Sequence, residues 1–306
     1  MPATAKPEIG IVLQSATDPG GEAKAFEDLG YDFVTVGEHV SFNVPASNSF
    51  ISLAVAAGAT SRIKLMNTIA LVPLYPPALL AKLGAALDVA SGGRFHLGVG
   101  VGGEIPAEFA ACGVPVKERG ARTNEALEII HRLWSETNVS FSGRFNQFEG
   151  VTIAPAPLSK PRPPIWVSGR KDAAWKRTAR FADGWLPYMY TPEMLASSLE
   201  GIAGYRSEFS DTPVAGGLFI WGCVHEDRDT ARQMAIDSLS RTYAQDFSRL
   251  VDKYAFAGTP NDVVEQLGAF VDAGAGTIIV SFACPGSSID AARQLFAEQV
   301  LPALRS

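Results

Sequence analysis

Short apolar runs alternate with longer amphipathic stretches along the whole chain. Residues 9–13, 33–36, 63–72, 94–99, 165–167, 184–186, 218–224 and 276–282 are brief and dominated by apolar side chains. That is the pattern of parallel strands buried on both faces. Between them, apolar positions recur at helical spacing, as at Ala121, Ala126, Leu127, Ile130 and Leu133. Several helix ends carry their own punctuation. Gly30 closes the stretch 22–29, Pro76-Pro77 opens 78–90, Thr191-Pro192 opens 191–209, and Thr259-Pro260 opens a helix that runs to Ala273. The spacing predicts further helices over 50–60, 117–134, 171–181, 227–241, 243–256 and 288–304.

Eight strands, nearly all separated by helices, predict an α/β chain folded as a (β/α)8 TIM barrel, one domain over residues 1–306. Two stretches break the rhythm. Residues 139–164 read as a hairpin around Gly143 and a stiff proline-rich return, inserted before strand five. Residues 242–257 read as an extra helical insertion between strands seven and eight.

Composition narrows the partners. The 306 residues carry a net charge of −6, with Lys and Arg scattered, which argues against nucleic acid or an anionic membrane. No run approaches the roughly 18 apolar residues of a membrane span, and Met1 to Lys6 shows no signal-type apolar core. Cys112, Cys223 and Cys284 are far apart and odd in number, which fits a reducing, cytoplasmic setting. Cys223 and Cys284 read as packing residues.

In a barrel of this kind the working residues lie at the carboxyl ends of the strands. Those ends hold Gln14 and Ser15, Glu38 and His39, Asn67 to Ala70, Gly100 to Glu104, Ser168 to Arg170, Trp185 and Tyr188, Trp221 and His225, and Ser281 to Cys284. No histidine sits at ligand spacing from another or from a cysteine, so no metal site is expected. There is no Gly-x-Ser-x-Gly elbow and no Gly-Lys-Ser/Thr phosphate loop. Gly98-x-Gly100-x-x-Gly103 formally satisfies the dinucleotide fingerprint, yet it runs into Glu104-Ile105-Pro106 rather than into a helix. A glycine-lined rim suits a bound planar cofactor that carries the reaction itself.

His39, directly after Glu38, is the candidate proton carrier, because an imidazole beside a carboxylate exchanges protons near neutral pH. The other reading is a histidine bonded to backbone at a strand end. Ser168-Gly169-Arg170-Lys171 reads either as a serine N-cap or as a phosphate site on free amides at the start of helix 171–181. Glu104 and Glu108 are candidate polar partners of substrate or solvated rim carboxylates, and Trp166, Trp185 and Trp221 read as barrel core.

From about residue 9 to residue 301 the chain resembles the luciferase-like monooxygenase family, in the branch that uses the 8-hydroxy-5-deazaflavin coenzyme F-420. The dense blocks are Ala85-x-Leu87-Asp88-x-x-Ser91-Gly92-Gly93-Arg94 with 97–102, and Gly113-Val114-Pro115-x-x-x-Arg119-Gly120-x-Arg122-x-x-Glu125. Residues 148–151, 163–169 and 182–185 add further matches. The resemblance implies a flavin or deazaflavin ring in the barrel mouth, and hydride transfer to or from a small organic substrate. It implies that Glu38 and His39 match an acidic–histidine pair ending strand two, with Glu38 assisting His39. It places a non-proline cis peptide near Ile69-Ala70, with Thr68 beside it, and a rim at Gly100, Val101, Gly102 and Glu104. Ser168, Gly169 and Arg170 match the phosphate loop, and relatives are often homodimers. One departure is Gly103, where many relatives have tryptophan. Two alternatives stay open: an FMN-dependent monooxygenase using oxygen, and a non-catalytic flavin-binding barrel.

Overall fold

The computed structural model describes residues 6–306; Met1 to Ala5, most of the segment read for a signal core, lie outside the described residues. Strands β1 (Glu8–Val12), β2 (Phe33–Val36), β3 (Lys64–Asn67), β4 (Phe95–Gly100), β5 (Ile165–Val167), β6 (Gly184–Trp185), β7 (Ala215–Val224) and β8 (Thr277–Phe282) pair in parallel, each with the next. Pairing of Glu8 with Thr277 returns β8 to β1 and closes the (β/α)8 barrel.

Alternation along each strand sorts side chains into two apolar layers. Phe33, Met66, Trp166, Leu186 and Ile279, with Val12 and Phe219, fill the barrel interior. The opposite faces pack on the surrounding helices, among them α1 (Pro19–Asp28), α2 (Ser49–Ala59) and α3 (Pro77–Ala90). Each fully buried side chain of this kind contributes about 1.5–3 kcal/mol. Polar clamps fix the helix layer. Arg94 reaches the carbonyls of Ala57, Thr60 and Ile63, and Glu27 accepts the amides of Ser61, Arg62 and Ile63. Burial opposes the charge on Glu27, but those three amides outweigh it and hold the carboxyl down at about 2.

Before β5, Val139–Ser142 and Gln147–Val151 form the expected antiparallel hairpin, and the return holds cis bonds at Ala154–Pro155 and Lys160–Pro161. Elsewhere the structure departs from the sequence reading. The third strand does not run unbroken over 63–72. It stops at Asn67, and a two-residue strand, Ala70–Leu71, resumes beside Val99 and Gly100. A non-proline cis bond, Thr68–Ile69, lies between them, in the place where one was expected.

The helix expected over 243–256 is not continuous either. Helix α8 (Arg228–Tyr243) ends at Ala244 in a left-handed conformation, and one turn, Val251–Tyr254, leads into a strand, Ala255–Gly258. That strand pairs with Trp221 to Val224, where β7 outruns β6 and would otherwise present a bare edge. Thr259 then caps the helix Pro260–Asp272 through a capping box with Asp262. No helix among the described residues is long and apolar enough to cross a membrane.

Two histidines are kept neutral. Burial holds His96, inside the barrel, down to about 3, and His131, bonded to the Phe181 carbonyl, down to about 4. Both native pKa values lie below the unfolded value of about 6.5, so their contribution is complete above that pH and shrinks as pH falls. Buried Glu38, with a raised pKa, works in the opposite sense. We expect stability to fall between pH 6.5 and 4 by at most about 1.4 kcal/mol per pH unit per histidine. Thermal melts of wild type and His131→Gln across this range check it: the variant's slope should be shallower.

Candidate active site

Counting two residues along each strand from the inner apolar layer reaches a second, more polar layer at the carboxyl end. It contains Thr35, Thr68, Ser168, Tyr188, Trp221 and Ser281. Large side chains fill the barrel below and smaller or amphipathic ones line its mouth. Thr68 donates to Thr35 across the floor at 3.0 Å.

At the end of β2 the chain turns outward through Gly37, and the next two side chains part. Glu38 is buried and accepts from the Tyr75 hydroxyl, from Ser49 Oγ at 3.3 Å and from Asn48 Nδ2 at 3.4 Å. Burial pushes its carboxyl up, and the Tyr75 and Ser49 hydroxyls offset only part of that. A cavity of about 360 Å³ lies here, lined by Glu38, His39, Asn48 and Tyr75 with Leu71, Leu74 and Cys112.

His39 lines the same cavity but has a different carboxylate partner. Its Nδ1 is 3.2 and 3.3 Å from the two oxygens of Glu108, and its ring stacks on Phe42 with centroids 4.1 Å apart. Glu108 is 2% exposed and also accepts the amides of Val40 at 2.6 Å and Ser41 at 3.3 Å. With both Glu108 oxygens at Nδ1, hydrogen-bond geometry favours the tautomer that donates from that nitrogen, and Nε2 has no protein partner among the described residues. The carboxylate hydrogen-bonded to His39 is therefore Glu108 and not the adjacent Glu38, which lines the same cavity but is held by Tyr75, Ser49 and Asn48. Glu108 is also no solvated rim group. It sits on α4 (Pro106–Ala111), a helix absent from those the spacing predicts. Pro106 at the first helical turn, with an acidic residue two positions on, was the signal for that helix.

Above β4 the backbone takes positive φ at Gly102 and Gly103. Glu104 is exposed and accepts the Tyr188 hydroxyl, while the Arg170 guanidinium lies 4.8 Å from the Tyr188 ring centroid. Glu104 thus faces the end of β6, away from the His39–Glu108 pair. Gly100 makes room for a neighbouring strand end. A Cβ there would overlap the Ile69 side chain, which the Thr68–Ile69 bond delivers against β4. Partly exposed Ile69 covers buried Gly100 here, and buried Ala70 packs with the helix layer behind it.

At the end of β5 the Ser168 amide donates to the Val99 carbonyl at 2.9 Å. Gly169 has φ +132 and its carbonyl accepts the Trp185 indole N–H at 3.0 Å. Ser168 does not cap the following helix, α6 (Asp172–Phe181): Lys171 occupies the N-cap position with no side-chain bond. Several cations gather nearby. Arg119 packs against Gly103, and buried Arg177 reaches Asn124 Oδ1 at 2.7 Å and the Gly120 carbonyl at 3.3 Å. Burial lowers the Arg177 pKa. Neither arginine was singled out as a site residue from sequence, because α5 (Arg119–Ser135) and α6 bring them to this end only in three dimensions.

Cys223 and Cys284 meet at the ends of β7 and β8, where contact with Cys284 and burial push the Cys223 thiol up. Among the described residues no group of three or more His, Cys, Asp or Glu side chains is placed to hold a metal ion.

Comparison with known proteins adds the lineage. The chain is 28% identical over 322 aligned residues to the F420-dependent glucose-6-phosphate dehydrogenase of Nakamurella multipartita, covering 93% of this chain and 91% of that protein. It is 33% identical over 143 residues to the oxygenase component of the flavin-dependent trigonelline monooxygenase of Acinetobacter baylyi, covering 46% of this chain and 39% of that protein. The crystal structure of the monooxygenase RslO1 from Streptomyces bottropensis matches with a TM-score of 0.85 at 27% identity, covering 96% of this chain and 99% of that one. The profile of the luciferase-like monooxygenases matches residues 8–277, on a closed parallel barrel with its polar layer at the carboxyl end. The chain belongs to the luciferase-like monooxygenase family and is an oxidoreductase.

Proposed function

We propose that this protein is a deazaflavin-dependent oxidoreductase that exchanges a hydride between coenzyme F-420 and a small organic carbonyl or alcohol. The observation that carries the reading is the His39–Glu108 pair. Oxidising an alcohol removes a hydride from carbon and a proton from oxygen, and reducing a carbonyl requires the reverse. A fixed imidazole with an open Nε2 serves that proton in both directions. Glu108 orients the ring and stabilises the imidazolium that forms when Nε2 takes the proton. Near full-length similarity to an F420-dependent dehydrogenase supports the same choice.

The residues fit such a coenzyme. Ile69, backed by Ala70 and Gly100, offers an apolar surface for a ring, with Thr68 beside it and Val101 and Gly102 along the rim. Ser168, Gly169 and Arg170, the uncapped start of α6, and Arg119 and Arg177 offer amides and cations for a phosphate. When bound, a deazaflavin supplies a two-electron hydride donor or acceptor, whereas reduced FMN also reacts with oxygen. The FMN reading is favoured by the two monooxygenase relatives.

Titration of the purified protein with F-420 and with FMN, followed by ring fluorescence, separates the two. Micromolar or tighter binding of F-420 alone is the expected result, and preference for FMN with oxygen uptake would move the reaction to oxygenation. Tight binding without any turnover would indicate a carrier. The two carboxylates should also part in kinetics. We expect His39→Ala and Glu108→Gln each to lower kcat by about 10²–10⁴ while coenzyme affinity changes little. Glu38→Gln should instead lower the melting temperature, by an amount equivalent to about 1–3 kcal/mol, and leave kcat within several-fold. Equal kinetic losses in Glu38→Gln and Glu108→Gln would return Glu38 to the proton path.

A further inference from the structure

We propose that the ends of β7 and β8 form the substrate wall, and that this wall selects an uncharged, ring-bearing carbonyl or alcohol over a phosphorylated one. The proposal rests on the hydride-transfer reading of the same mouth and names its substrate class.

Aromatic rings cover this side. Phe219 and Trp221 lie edge to face at 5.5 Å and Trp221 and Tyr243 at 6.4 Å, and the Tyr188 main chain, just past β6, pairs with that of Phe219. Tyr243 comes from the last turn of α8, which the unexpected strand Ala255–Gly258 holds against β7. Ring faces and edges of this kind pack well on another planar ring.

Within the aromatic surface sit two polar atoms without partners. The Trp221 indole Nε1 and the Ser281 hydroxyl are both buried and unbonded among the described residues. The Tyr243 hydroxyl neighbours the indole, which offsets part of the upward push that burial gives its pKa, but the two do not meet in hydrogen-bond geometry. Buried donors are rarely left unpaired. Strand alternation places both atoms on the inward face, one level above Phe219 and Ile279. A substrate oxygen would satisfy them and be oriented by them.

The charges here disfavour a phosphate. The strand ends, residues 221–224 and 281–284, contain no Lys or Arg. Of the charged groups at the rim, Glu104 holds Tyr188, and Arg170 is spread over the Tyr188 ring. A phosphate dianion on this wall would lose its water and face the Glu104 carboxylate, with Arg170, already spread over the Tyr188 ring, as the cation at hand.

Isothermal titration with 1-indanone and, separately, with glucose 6-phosphate tests the wall, on protein without added coenzyme and on protein saturated with it. We expect 1-indanone to bind in both states and glucose 6-phosphate to bind in neither. Trp221→Phe keeps the ring but loses the donor, and Ser281→Ala loses one oxygen; each should weaken 1-indanone about 3–10-fold. Ser281→Ala should also raise the melting temperature of the ligand-free protein, since it removes an unpaired buried hydroxyl, an effect that a structural hydroxyl would not give. Tighter binding of glucose 6-phosphate, absence of 1-indanone binding, or wild-type affinity in both variants would overturn the proposal. Coenzyme binding is read independently by ring fluorescence, so a failed wall leaves it intact, and a failed coenzyme assignment leaves 1-indanone binding to the free protein.

Discussion

Closure of the sheet is the constraint on which everything else depends. Once β8 pairs with β1, every strand has two neighbours, and every inward side chain must share one narrow interior with those of the other strands. Phe33, Met66, Trp166, Leu186 and Ile279 use that space completely at the lower levels. The polar residues two positions further along can therefore be met only from the carboxyl end. The mouth is where filling stops, and its contents come from strands distant in sequence that closure has made adjacent.

Much of the barrel was legible because it is encoded locally. Apolar runs bounded by glycine, proline and capping residues mark each strand and helix, and Thr259 with Asp262 or Thr191 with Pro192 can be read without any tertiary information. What failed depended on long-range partners. Nothing near residue 255 says that β7 outruns β6 and needs its edge covered, so Ala255–Gly258 read as helix. The break in β3 is likewise a matter of fit, since Ile69 lies where only a glycine, Gly100, leaves room on the neighbouring strand.

The same distinction explains the site. His39 was found because strand ends are functional places in this fold. Its carboxylate was misassigned because sequence adjacency was taken for contact. Glu38 and His39 are neighbours in the chain but belong to different networks, Glu38 to Tyr75 and Ser49, His39 to a residue 69 positions away. Glu104 behaves in the same way, holding Tyr188 across 84 positions.

One short segment reaches both sides of the mouth. Between Glu104 and Glu108 the chain touches the end of β6 with its first carboxylate and the turn after β2 with its second. It is tethered to the barrel at β4 and to the outer helices at α5, and it contributes no strand of its own. Contacts to two sides of the mouth are thus carried on a single replaceable cassette. A lineage could exchange this stretch of the β4–α5 connection and alter both together without disturbing the ring of strands underneath.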